Sequence, residues 1–567
     1  MKVAPHDDLV GLTDHQVAGQ LVDVLGGVIY PARLSFHQGV ISRIERCDDA
    51  PRRFILPGLI DGHIHIESSL LTPCRFAEVA VLHGTTAVVT NPHEIANVAG
   101  MEGIRFMIED GEGTPLHFYF TAPPCVPCTK LETSGAALGR DEVLEMMCRP
   151  DCVALGEVMD FWAVVNGDPE MMAKIDVAKE LGKPVDGHCP ALGGPDLDKY
   201  IAAGITTDHE CVSLKEAEEK HRKGMTVMVR EGSAAKDLEM LLPFARQHRH
   251  FLVTDDLHAV DLMSWHLEGL LKRSVEGGVA PMHAIRAATL WPAQHYGLPG
   301  GSLQVGGVAD LVVVEDLIEF KVLETWIGGS LVAKNGVPLF ETRPTTMAPT
   351  LPPMAIEEKD LMIQAMGEMA TVRVIEVRPD HITSRAVMAE LKVFDGHVVP
   401  DISQDVLLLA VVNRYAEARP ALAFVKGFGL RSGAIASSVA HDSHNIIAVG
   451  TNHAELAAAI NGLTLQGGGY IAISNDRTRR LKLPIAGLMS NRPCEEVAKK
   501  EAEINEFVKN LGCLLSEPFA TLSFQSLLVI PELKLGDRGL YDSVLMKFVS
   551  PVMHNGRIDK PGSGLKY

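Results

Sequence analysis

A chain of 567 residues is too long for one ordinary core, and about 150 residues per domain points to roughly three or four units. With 46% apolar and 22% charged residues, the composition is that of a folded globular protein rather than a disordered or fibrous one. A net charge of −20 repels phosphate backbones and anionic lipid surfaces, so the expected partners include neither nucleic acid nor membrane.

The opening residues, Met1-Lys2-Val3-Ala4-Pro5-His6-Asp7-Asp8, carry acid where a signal peptide carries base. No apolar run approaches the roughly 18 residues of a membrane span. Ten scattered cysteines do not resemble a disulfide framework, and the expected location is cytoplasmic. Residues 21–25 and 28–30 read as short strands around Gly26-Gly27, rich in apolar and β-branched side chains. The same texture returns at 306–314 and 330–336. Residues 1–56 with 300–345 are therefore expected to form one small β domain from both flanks.

Between them, residues 57–299 alternate short apolar strands with helical stretches such as 171–181 and 214–223, the rhythm of a parallel sheet. Eight strands are expected, at 60–65, 87–91, 116–121, 153–157, 184–188, 205–209, 226–231 and 251–255. Eight repeats over this length predict a (β/α)8 TIM barrel, an α/β fold whose chemistry sits at the C-terminal strand ends. Six of the eight ends carry a His, Glu or Asp. A Pro- and Thr-rich linker at 342–353 leads to an expected α/β C-terminal domain, 346–567. That domain has strand-like runs at 405–413 and 445–451, a helix at 494–511, and a turn at Gly467-Gly468-Gly469.

The chemistry begins at Pro57-Gly58-Leu59-Ile60-Asp61-Gly62-His63-Ile64-His65. Residues two apart on a strand share a face, so His63 and His65 can present imidazoles to one metal. A lone His-x-His is a weak signal. Downstream strand ends add Glu157, placed to bridge two cations, then His188, His209 and Asp255. Four His, one Glu and one Asp compose a binuclear site with positions left for water. A pair of divalent ions lowers the pKa of bridging water towards neutrality, and Asp255 can carry its proton to a leaving group. Asp256 is the competing choice for that ligand; Asp255 comes first off the strand.

These residues, with Ala287-Ala288-Thr289-Leu290-Trp291-Pro292-Ala293 leading to Gly306-Gly307-Val308-Ala309-Asp310-Leu311, resemble the amidohydrolase superfamily. More narrowly, three stretches resemble the bacterial adenine deaminases: His63-Ile64-His65-Ile66-Glu67-Ser68-Ser69, Asn91-Pro92-His93-Glu94-Ile95-Ala96-Asn97-Val98 and Arg230-Glu231-Gly232-Ser233-Ala234-Ala235-Lys236. Gly427-Phe428-Gly429 and Ala440-His441-Asp442-Ser443-His444-Asn445 extend the likeness into the C-terminal unit. The resemblance implies hydrolysis of adenine to hypoxanthine and ammonia in purine salvage. It also implies two divalent ions (manganese, iron or zinc), a free purine base as substrate, and a homo-oligomer. Glu157 agrees with it, since relatives that open cyclic amides favour a carbamylated lysine as the bridge. Asn91 departs from it, standing where the family pattern has Asp.

Each candidate has a plainer reading beside it. Glu231 is a candidate acid for a ring nitrogen or half of an ion pair, and Glu67 can do either. His93 and Glu94 are candidate purine contacts or capping residues. His441, Asp442 and His444 suggest a second metal site or a lid over the barrel mouth, yet Asp-Ser-His-Asn is also turn chemistry. His65-Ile66-Glu67 with Pro124-Cys125-Val126-Pro127-Cys128 imitates the zinc nucleobase deaminases, but that reading leaves His188, His209 and Asp255 unexplained. The alternatives to adenine deamination are an N6-substituted adenine, a cyclic amide, or a metal-free scaffold.

Overall fold

The computed structural model describes residues 15–233, 235–378 and 381–553; the acidic opening octapeptide and Ala234 lie outside them. The chain divides into two compact units. The first comprises Met1–Pro92, Arg105–Pro124 and Leu138–Thr345, and the second His93–Ile104, Cys125–Ala137 and Thr346–Tyr567.

In the first unit all eight expected barrel strands form. They are Leu59–Ile64, Thr85–Thr90, His117–Ala122, Cys152–Val158, Val185–Gly187, Thr207–Asp208, Thr226–Arg230 and Phe251–Val253. The first five pair in parallel, as do the last three. Thr206 donates its backbone N–H to the Val185 carbonyl at 2.9 Å, joining the two runs. A parallel bridge between Ile64 and Asp255 closes the circle. The strands are apolar because both faces are covered, inside by side chains and outside by helices. The helix Leu267–Glu276 shows the outer layer: Leu267, Leu270, Leu271 and Ser274 recur at helical spacing and face the core around Leu238, Phe244 and Leu252.

The flanks of this unit meet in one eight-stranded sheet. Phe54–Pro57 lies at its centre, parallel to His15–Asp23 on one side and antiparallel to Leu311–Val314 on the other. Leu21, Leu34, Phe36, Ile55, Leu311 and Val313 fill its core. Phe54–Pro57 is separated from the first barrel strand by Gly58 alone, so the flanking sheet holds the entry to the strand that carries His63 and His65.

The second unit holds a nine-stranded mixed sheet. Its centre is Val406–Val412, every residue of which is buried, beside Ile446–Gly450. Helices His453–Leu465 and Cys494–Asn510 and a three-stranded meander beginning at Leu533–Gly536 complete it. Gly467, Gly468 and Gly469 take φ of 83°, 104° and 109°, a left-handed turn open to glycine and costly for other residues. Among the described residues no helix is long and apolar enough to cross a membrane.

Candidate metal centre

The barrel closure brings the first candidate ligands together. Asp255 donates its N–H to the His63 carbonyl at 3.0 Å, and His65 donates to the Asp255 carbonyl at 3.1 Å. Asp255 itself turns into left-handed space (φ 57°), a conformation that Asp tolerates better than most residues. Its Oδ1 then lies 3.3 Å from His63 Nε2 and 3.1 Å from His65 Nε2. Asp256 accepts from the Ser68 hydroxyl at 2.5 Å and also stays within metal-binding range of His65 and Asp255.

Glu157 stands between two histidine groups. Its Oε1 is 3.2 Å from His65 Nε2, while Oε2 is 3.0 Å from His188 Nδ1 and 3.4 Å from His209 Nε2. One carboxylate with its two oxygens facing different imidazoles is the geometry of a bridging ligand. The fit to cations is visible in the donors themselves. The imidazole nitrogen His63 Nε2 is buried without a hydrogen-bond partner, and His63, His65 and Glu157 converge within metal-binding range, as do Glu157, His188 and His209. His65 Nδ1 donates to the Asn91 carbonyl at 3.0 Å, which fixes the tautomer and turns the Nε2 lone pair inward.

The electrostatics follow from this crowding of opposite charges in a dry site. Burial opposes ionisation of Glu157, yet His188, His209 and His65 hold its carboxyl well below the usual range. Burial likewise opposes charge on His209, which Asp255 and Glu157 outweigh, raising it to about 9. Asp255 is held low against burial by His209, His63, His65 and Arg230.

Two residues beside the cluster escaped sequence reasoning. Arg230, fully enclosed, reaches Asp255 Oδ2 at 3.1 Å and Asp237 at 2.9 Å, and forms a close pair with Glu210. Glu210 Oε1 also lies 3.4 Å from His209 Nε2. Arg230 thus restrains the outer oxygen of Asp255 while Oδ1 faces the histidines. Asn91, the departure from the family pattern, donates from Nδ2 to Glu157 Oε1 at 3.1 Å, a bond that an ionised Asp could not supply. Behind the first strand, Asp61 accepts from Thr254 Oγ1 at 2.6 Å and faces His266 Nε2 at 3.1 Å, which ties that strand to the eighth.

The remaining candidates are placed as follows. Glu67 is buried in the turn Ile66–Ser69 directly after His65. Glu231 pairs with Arg273 at 2.9 Å and accepts from the Leu238 N–H at 3.1 Å, so its side chain has structural work at this strand end. His93 and Glu94 belong to the second unit, with His441, Asp442 and His444. There burial opposes the charge of Glu94, and His441, His444 and His93 hold it well below the usual range. Burial and the neighbouring Asp442 push the Cys128 thiol well up.

A model of the amidohydrolase family matches residues 54–332, and one of the adenine deaminase C-terminal domain matches residues 381–547. The chain is 46% identical over 531 residues to an adenine deaminase of Methanothermobacter thermautotrophicus, covering 93% of this chain and 98% of that one. It is 45% identical over 537 residues to an adenine deaminase of Salinibacter ruber, covering 94% and 98%. The chain belongs to the adenine deaminase family. Family membership spans both units, so the second is part of the same inherited protein and not an appended module. Divalent metal binding is consistent with the amidohydrolase family and with the convergent His, Glu and Asp donors of the barrel.

Proposed function

We propose that the chain deaminates free adenine, adding water at C6 and releasing ammonia to leave hypoxanthine. The observation that carries the reading is Glu157, whose two carboxylate oxygens face His65 on one side and His188 with His209 on the other. Full-length similarity to adenine deaminases supplies the substrate. We assign His63, His65, Glu157, His188, His209 and Asp255 as ligands of two divalent ions, drawn from manganese, iron and zinc.

Bound there, the ions supply Lewis acidity that makes water nucleophilic near neutral pH. Asp255 accepts the proton of that water through its inner oxygen and returns it to the amine leaving C6. The C6–O bond forms first, with the ring nitrogen taking a proton, and the C6–N bond then breaks as the protonated amine leaves as ammonia; no oxidant or second substrate is needed. Arg230 holds the outer oxygen of Asp255 and limits its swing, while His209, His63 and His65 together with Arg230 hold the carboxyl low. Glu67 is proposed to contact the purine. Glu231, at the end of the seventh strand, is the proposed ring-nitrogen acid; burial raises its carboxyl against the opposing pull of the Leu238 N–H and Arg273. Loading chelator-stripped protein with manganese, iron or zinc tests the reading by ammonia release from adenine. Activity should return as the barrel takes up about two equivalents per active chain. Fully loaded protein that releases none would refute it.

A further inference from the structure

Outside the barrel centre, the second unit contains another convergence of metal-type donors. Two adjacent pairs meet there, His93-Glu94 and His441-Asp442, and all four residues are buried. His93 Nε2 lies 3.4 Å from Glu94 Oε1 and 3.9 Å from Asp442 Oδ1. His441 Nδ1 lies 2.7 Å from Glu94 Oε1 and 3.8 Å from Asp442 Oδ1.

We propose that His93, Glu94, His441 and Asp442 hold a divalent transition-metal cation distinct from the barrel pair. Four ligands at about 2.1 Å around a tetrahedral ion are separated by about 3.4 Å from one another. Three of the separations, 3.4, 3.8 and 3.9 Å, lie near that value, while His441 Nδ1 and Glu94 Oε1 at 2.7 Å are at hydrogen-bond distance and would part slightly as both ligate the ion. The barrel ligands provide a measure within the same molecule: their closest nitrogen–oxygen separations run from 3.0 to 3.4 Å.

Two features argue for a cation rather than a self-contained hydrogen-bond cluster. Asp442 Oδ2 is buried without a hydrogen-bond partner, in a residue only 3% exposed. Its other oxygen, Oδ1, is the one nearest His93 and His441, so the carboxylate is only half satisfied, and a dication held against it offsets the cost of the bare oxygen. The second feature is the support behind Glu94. His444 Nδ1 accepts the Ala440 N–H at 3.1 Å, so its Nε2 carries the proton and donates to Glu94 Oε2. That leaves Glu94 Oε1 for the cluster, oriented by a histidine as ligating carboxylates are. Two imidazoles and two carboxylates suit zinc, iron or manganese, and lack the oxygen count that calcium takes.

The inference does not rest on the deaminase reading. Its test is metal content by plasma mass spectrometry on the full chain, with anomalous diffraction on zinc-loaded crystals. Wild type should carry one equivalent more than the Asp442→Asn and His441→Ala variants. His63→Ala/His65→Ala should lose barrel metal and keep the other ion. An anomalous peak between His93 and Asp442 in wild type decides the matter even where a variant fails to fold. Equal metal content in wild type and both variants, or no peak at that position, overturns the proposal.

Discussion

Replacing Asp255 by Asn keeps the size of the side chain and removes its charge. In the structure that charge faces His63 and His65 at 3.3 and 3.1 Å and Arg230 at 3.1 Å. Arg230 does not lose its counter-charge, because Glu210 and Asp237 remain against it. The stability loss should therefore stay below about 2 kcal/mol, short of the penalty for stranding a buried charge. Four histidines and Glu157 remain to hold metal. What disappears is the proton carrier, and general acid–base catalysis of this kind contributes about 10²- to 10⁴-fold, equivalent to about 2.7–5.4 kcal/mol of barrier. The assay is ammonia release from adenine, normalised to metal content measured on the same sample. The expectation is kcat reduced by about 10² or more with at least half the barrel metal retained. Turnover within about threefold of wild type at equal metal content would refute the role given to Asp255.

Gly156→Ala should act through the bridge, since a Cβ there would sit 2.7 Å from Asn91 Oδ1 and 2.9 Å from Thr121 Oγ1. Displacing Asn91 loosens Glu157, so kcat should fall at least about tenfold with a stability cost of about 1–3 kcal/mol, read by steady-state kinetics and urea unfolding. Lys220→Met strands Asp208, its partner at 2.9 Å in a fully buried pair, and should cost about 3–5 kcal/mol; an unchanged melting temperature would contradict this. Lys534 is a different case, its amine pushed down to about 7 by burial. Between that value and its ordinary 10.5 the unfolded chain binds more protons, so stability should rise with pH by up to about 1.4 kcal/mol per unit. Lys534→Met should flatten that rise in urea midpoints from about pH 7.5 to 9.5, and identical slopes in the two proteins would contradict it.

The barrel was legible because parallel strands buried on both faces read as apolar runs that end where the chain emerges. Each expected strand forms, and the sixth and eighth, Thr207–Asp208 and Phe251–Val253, are shorter than expected. His65, Glu157, His188, His209 and Asp255 could be read from position alone, since each stands at or just beyond a strand end. Arg230 and Glu210 could not. Glu210 follows His209 after a strand of two residues, so no alternation indicates where its side chain points. Arg230 matters through Glu210, Asp237 and Asp255, and the first and last of these lie 20 and 25 positions away in sequence. His93–Ile104 and Cys125–Ala137 lie within the span 57–299 expected for the barrel but fall with the second unit. Their attachment rests on pairs such as Glu94 with His441, separated by 347 positions, and on a backbone break at Gly100 with φ 58°. Neither leaves a local pattern.

The central claim is that this metal centre deaminates adenine, and substrate preference of the metal-replete chain tests it most directly. Ammonia release should be measured in parallel on adenine, N6-methyladenine, adenosine and dihydropyrimidines. One ammonia and one hypoxanthine should appear per adenine consumed, with adenine the preferred substrate by kcat/KM. Hydrolysis of a dihydropyrimidine with no ammonia from adenine would contradict it.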